Sequence, residues 1–86
     1  MFVIVVYDME ADRTDKPRKL LRQYLTHMQN SVFEGHITEG DLNTIKPILE
    51  NMPKDNESII IYEISSENYI ERTAVGEDPR DENQFV

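Results

Sequence analysis

Eighty-six residues fit one domain with one modest core, a size at which oligomerisation helps stability. The chain has no cysteine, which excludes a disulfide framework and a thiolate metal site. Seventeen acids against nine bases give a net charge of -8, unlike the basic footprint of a free-standing nucleic-acid binder. The bases are clustered, however: Arg13, Lys16, Arg18, Lys19 and Arg22 all fall within one short stretch. An acidic whole thus carries one basic stripe. No apolar run approaches the ~20 residues of a membrane span. The N-terminal run lacks a basic leading region and ends in Tyr7-Asp8, against a signal peptide. The expectation is a soluble cytoplasmic protein with no membrane partner.

In chain order, residues 2–7, FVIVVY, predict a first strand, β-branched and without polar alternation. A polar loop, MEADRT, follows. Thr14 or Asp15 is placed to cap a helix from Asp15 to His27, with Pro17 in its first turn. Leu20, Leu21, Tyr24, Leu25 and Met28 share one face of that helix, and Arg18, Lys19 and Arg22 the other. Residues 29–37, QNSVFEGHI, predict a second strand, in which Gly35 suggests a bulge or a close backbone approach. Thr38 predicts the cap of a second helix with a core stripe of Leu42, Ile45, Leu49 and Met52. Pro47 is expected to kink or split it, and Pro53 to end it. Residues 58–64, SIIIYEI, read as a third strand apolar on both sides, and 69–75, YIERTAV, as a half-exposed fourth.

Four strands and two helices predict an α+β domain over residues 1–76, taken as ferredoxin-like β-α-β-β-α-β, with a tail at 77–86. Two helices cover one face of an antiparallel sheet, yet the first and third strands lack polar residues for a wet second face. A second copy of the chain is the economical cover, so a face-to-face homodimer is expected on physical grounds.

Asp8, where the first strand leaves the sheet, has two readings. It is a turn cap or solvated loop acid, as aspartates after strands often are. Or it is a metal ligand that meets its own copy across a two-fold axis. Two close carboxylates cannot both stay ionised without a proton or cation between them, and Mg²⁺ suits carboxylate oxygens. Glu10, Asp12 and Asp15 read as a solvated acidic loop, with an outer-shell metal role as the alternative. Arg13, Arg18 and Arg22 are candidate contacts to a phosphate backbone, set against an ordinary polar helix face. His27 and His36 are the only histidines, too few for a zinc site. His27 is expected at a helix C-terminus, where it suits the dipole.

The segment VVYDMEADR, followed by a basic helix and then by QNSVFEG, resembles the Cas-two family of small CRISPR-associated proteins. The resemblance covers roughly the first 64 residues, and the Q-x-SVFEG segment at that distance from Tyr-Asp is its most specific part. It implies a ferredoxin-like homodimer in which the C-terminal segment, here Gln84-Phe85-Val86, adds a strand to the partner's sheet. It implies that Asp8 binds a divalent metal with its symmetry mate. It also implies that Tyr7, Ser31 and Phe33 line the site or the dimer seam. Members are described as metal-dependent endonucleases on single-stranded RNA or duplex DNA, and as bridges between two dimers of the Cas-one integrase during spacer acquisition. Many relatives place an arginine where this chain has His27, whose charge depends on pH.

Three readings follow. The first is an adapter dimer that bridges integrase dimers on foreign DNA. The second is a Mg²⁺-dependent phosphodiesterase centred on Asp8. The third lies outside the family, a toxin-type ribonuclease or a nuclease-inactive regulatory dimer, since the fold by itself decides no function.

Overall fold

The computed structural model describes residues 1–80. In chain order it forms β1 (Phe2–Asp8), a 3₁₀ turn at Ala11–Arg13, α1 (Asp15–Leu21), β2 (Thr26–Gln29), β3 (Val32–His36), α2 (Glu39–Glu50), β4 (Ser58–Ile64) and a 3₁₀ turn at Glu67–Tyr69. The sheet is antiparallel in the order β2-β3-β1-β4. This is the expected α+β, ferredoxin-like arrangement, but its parts are drawn from different residues than the sequence pattern suggests.

The helix expected to reach His27 ends at Leu21. Gln23 and Tyr24 donate to the carbonyls three residues back, at 3.2 and 3.0 Å, so the last turn tightens before Leu25 turns inward. Residues 26–29, expected to belong partly to that helix, enter the sheet instead. They pair with β3 through a two-residue turn at Asn30-Ser31, in which Asn30 adopts φ +33. Asn tolerates a positive φ better than most residues, which suits it to this turn. The single strand expected over 29–37 is therefore the second half of a hairpin. Its bulge lies at Met28, where the register slips between His27 and Gln29; Gly35 pairs regularly with Val3 and packs against Leu25.

The second helix starts where expected. Thr38 Oγ1 accepts from the Asp41 N–H at 3.0 Å. It runs unbroken through Pro47, against the expected split. Proline removes one helical hydrogen bond, but buried Ile45 and Leu49 pin the helix to the sheet on either side of it. Thr14 precedes α1 but does not cap it with its side chain; its hydroxyl donates to the Ala11 carbonyl at 3.0 Å. No strand forms over residues 69–75. A strand there would need a backbone edge to pair with, whereas this segment crosses the sheet face and is held by side chains. The expected strand contributed by Gln84-Phe85-Val86 lies outside the described residues.

Both helices cover one face of the sheet. Val3, Val5 and Tyr7 of β1 and Phe33 of β3 pack there against Leu21, Leu25, Leu42, Ile45 and Leu49. The opposite face carries Phe2, Ile4 and Val6 of β1, Val32 of β3, and Ile60, Tyr62 and Ile64 of β4. Its two ends differ. Near Phe2 the chain folds back over itself: Arg72 forks onto Glu34 with Nε–Oε2 at 2.9 Å, and Arg80 reaches the same carboxylate at 3.2 Å. Arg80 also lies over the Phe2 ring, 5.3 Å from its centroid. Phe2 is thereby buried, whereas Ile60 and Tyr62 remain 47% and 53% exposed.

The helix-covered core sets the stability of the fold. Leu49→Ala, at a fully buried position, is expected to cost about 2–5 kcal/mol in urea unfolding with an unchanged m-value. Ile48→Ala, on the exposed side of the same helix, is expected to cost less than about 1 kcal/mol.

Candidate functional site

Asp8 is the last residue of β1 and is solvent-exposed. The alternation of β1 puts it on the same face as Phe2, Ile4 and Val6, directly opposite Ser58 of β4. It therefore sits at the rim of the apolar face that the helices leave uncovered. Tyr7 points the other way. Its ring stacks on Phe33 with centroids 6.3 Å apart, and its N–H donates to the Ser31 carbonyl at 3.1 Å. His27 completes this cluster, its ring stacked on Phe33 at 4.4 Å and its Nε2 2.5 Å from the Asn30 carbonyl oxygen. His27 thus lies in a strand, not at the expected helix terminus. The structure buries Tyr7 and Phe33 together beneath the helices, with Ser31 joined to them only through its carbonyl at the hairpin turn, and places Asp8 on the far face of the same strand.

The arginines divide in the same way. Burial pushes the Tyr7 phenol above its ordinary pKa, and the charges of Arg18 and Arg22 pull it partly back. Those two cations are therefore near the Tyr7 side of the sheet. Arg18 also contacts the Asp15 carboxylate one helical turn earlier. Arg13, partly buried, is engaged within the chain. Its Nε donates to Glu57 Oε2 at 2.8 Å and Oε1 at 3.1 Å, and its Nη2 to the Met52 carbonyl at 2.9 Å.

Glu57 is the residue that the sequence reading passes over. Besides Arg13, its carboxylate accepts the Glu10 N–H at 3.1 Å and the Lys54 N–H at 2.9 Å. One acid ties the loop after β1 to the loop before β4. In the sequence it stands in PKDNES, where an acid beside Asn and Asp looks like any solvated turn residue. The turn signal itself is visible, in that Asn56 has φ +68 and the Glu57 N–H closes on the Lys54 carbonyl at 3.0 Å. Glu34 is likewise an anchor that the sequence does not signal; nothing local in SVFEG announces partners 38 and 46 residues away.

Among the described residues no group of three or more His, Cys, Asp or Glu is placed to hold a metal ion. At Asp8 one chain offers a single exposed carboxylate. Its oxygens are the hard donors that Mg²⁺ prefers, but a single ligand fits the cation only with a second chain's carboxylate added.

The pH dependence of stability follows from Glu57. Arg13, then the backbone N–H groups of Lys54 and Glu10, hold its pKa down from 4.5 to about 2. A depressed carboxyl stabilises the fold fully above its unfolded pKa and loses that contribution as pH falls through the folded value. Between pH 4.5 and about 2, the urea midpoint of the wild type is expected to fall more steeply than that of Glu57→Gln.

Comparison with known proteins agrees with this architecture. Residues 1–72 match the family described as CRISPR associated protein Cas2. The "CRISPR-associated endoribonuclease Cas2" of Haloferax volcanii is 38% identical over 86 residues, spanning 100% of both chains. The protein of the same name from Nanoarchaeum equitans is 39% identical over 79 residues, covering 91% of this chain and 87% of its own length. A solved structure, "Crystal structure of cas2", superposes with a TM-score of 0.77 at 38% identity, over 91% of this chain and 88% of that one. With the sheet order, the Tyr-Asp strand end and the SVFEG hairpin strand all in place, this chain belongs to the CRISPR-associated Cas2 family.

Proposed function

We propose that this protein is a homodimeric adapter of CRISPR adaptation, acting in the cytoplasm, that bridges Cas-one integrase dimers on foreign DNA during spacer acquisition. Metal-dependent phosphodiester cleavage of RNA or DNA at a pair of Asp8 residues accompanies that role. The observation that carries this reading is the position of Asp8 at the rim of an uncovered apolar face. Ile4, Val6, Val32, Ile60 and Tyr62 make that face unsuited to water, and Ile60 and Tyr62 remain about half exposed. A second copy of the chain is the partner of matching chemistry, and burial of these side chains drives the pairing. Pairing across β1 brings the two Asp8 carboxylates toward one axis.

The pair would hold a divalent cation, Mg²⁺ by donor type, which when bound supplies Lewis acidity to a phosphodiester. The protein's own part is to aim the two carboxylates and to place the backbone. Arg18 and Arg22 serve as contacts to phosphate. Arg13 contributes through Nη1, because its Nε and Nη2 already donate within the chain. The relatives named as endoribonucleases favour a second reading, in which cleavage is the principal role.

Two measurements test the proposal. Light scattering is expected to give twice the mass of one chain, and Ile60→Glu, which charges the apolar face, is expected to shift it to monomer. A stable wild-type monomer overturns the dimer. Asp8→Ala is expected to reduce metal-dependent cleavage of RNA and DNA to background while spacer integration with the integrase proceeds. Loss of both together favours the enzyme reading, and a wild type that cleaves nothing with any divalent metal removes the nuclease activity.

A further inference from the structure

The loop that follows Asp8 has few means of holding its shape. It contains Met9, which packs against the core, and a 3₁₀ turn over residues 11–13. The turn's own backbone bonds do not reach β4; its Arg13 side chain does, through Glu57. The link is Glu57, whose side chain is only 5% exposed. Its place in the sheet register is what matters. Asp8 lies opposite Ser58, the first residue of β4. Glu57 is one residue before Ser58, and Glu10, whose N–H it accepts, is two residues after Asp8. The carboxylate therefore bridges the two chains just past the Asp8–Ser58 pair, where the ladder of strand hydrogen bonds has ended.

The bridge is built from both sides. From the loop come the Glu10 N–H and the Arg13 guanidinium; from the other side come the Lys54 N–H and, through Arg13 Nη2, the Met52 carbonyl. Charge-assisted bonds of this kind are stronger than neutral ones. A carboxylate with this set of donors has one orientation, and so does the loop it holds.

We infer that Glu57 is a positioning residue: with Arg13 it fixes the loop after Asp8 against the start of β4, and so aims the Asp8 carboxylate. The inference rests on the reading of Asp8 as a metal ligand. Orienting partners of a metal ligand contribute about 10–100-fold to affinity when they are lost, and the effect here is expected at the lower end, since Glu57 acts through the backbone.

The test uses the full-length wild type, Glu57→Gln and Arg13→Gln, with two measurements on each. One is amide hydrogen exchange at residues 9–14. The other is Mn²⁺ affinity by titration calorimetry, Mn²⁺ standing in for the hard divalent cation. Both variants are expected to lose exchange protection in the loop and to bind Mn²⁺ about tenfold more weakly. A simple effect of charge predicts otherwise: Glu57→Gln, which removes an anion, weakens cation binding, and Arg13→Gln, which removes a cation, tightens it. That split overturns the inference, as does unchanged exchange in both variants. Leu49→Ala supplies the control for stability alone; it is expected to lower the melting temperature without changing Mn²⁺ affinity. If Glu57→Gln does not fold, Arg13→Gln decides, because loosening of the loop with weaker Mn²⁺ binding on loss of a positive charge has no electrostatic explanation. A wild type that binds no Mn²⁺ while both variants loosen the loop sinks the metal reading and leaves the loop-fixing role standing.

Discussion

A strand that is apolar on both faces sets the terms for everything around it. β1 lies between β3 and β4 and buries Val3, Val5 and Tyr7 toward the helices. On its other face Phe2, Ile4 and Val6 require cover as well. The chain supplies part of it by sending residues 70–80 across the sheet and anchoring them on Glu34. The half of the face nearer β4 is left bare. The ion cluster of Arg72, Arg80, Asp78 and Glu34, with side chains 15–28% exposed, holds a segment with no regular structure of its own. Side-chain bonds here replace the backbone pairing that a strand would have had.

The same strand separates two chemistries along one length of backbone. Tyr7 and Asp8 are neighbours in sequence but lie on opposite sides of the sheet. The phenol is buried among aromatic rings under the positive charges of Arg18 and Arg22. The carboxylate is in water at the edge of an apolar surface. Any role for the two together must therefore pass through the sheet or around its rim. The proposed metal site involves only the rim, and Glu57 is the residue best placed to keep that rim in one shape.

The fold was legible in the sequence to the extent that a single strong pattern carried it. Unbroken apolar runs placed β1 and β4, and the Leu42, Ile45, Leu49 stripe placed α2. The apolar period of Leu20, Leu21, Tyr24, Leu25 and Met28 misled, because a helical spacing persists by chance into residues that pair with β3. Tertiary pairing overrides local periodicity over so short a stretch. The fold class emerges although the element positions do not: the elements read from the sequence run β-α-β-α-β-β, and the hairpin at Asn30-Ser31, which places a second strand before α2 in place of one at 69–75, gives the β-α-β-β-α-β order. For the site, Asp8 stood out because a charge ends an apolar run. Glu57 and Glu34 did not, because what distinguishes them is a set of partners 38 to 47 residues distant in the chain.

The internal use of Arg13 has a consequence for the proposed contact with a nucleic-acid backbone. Arg13, Arg18, Lys46, Arg72 and Arg80 are each matched to a carboxylate. Lys16, Lys19, Arg22 and Lys54 have no such partner among the described residues, and three of these four line a single groove between α1 and the loop before β4. Each phosphate neutralised on duplex DNA releases about 0.9 of a counterion. On the proposed reading, one chain with about four cations not already matched to a carboxylate would gain the entropy of only about four released ions from them. Against a net charge of -8, that would be a light grip, its strength set by the salt in solution as much as by the protein.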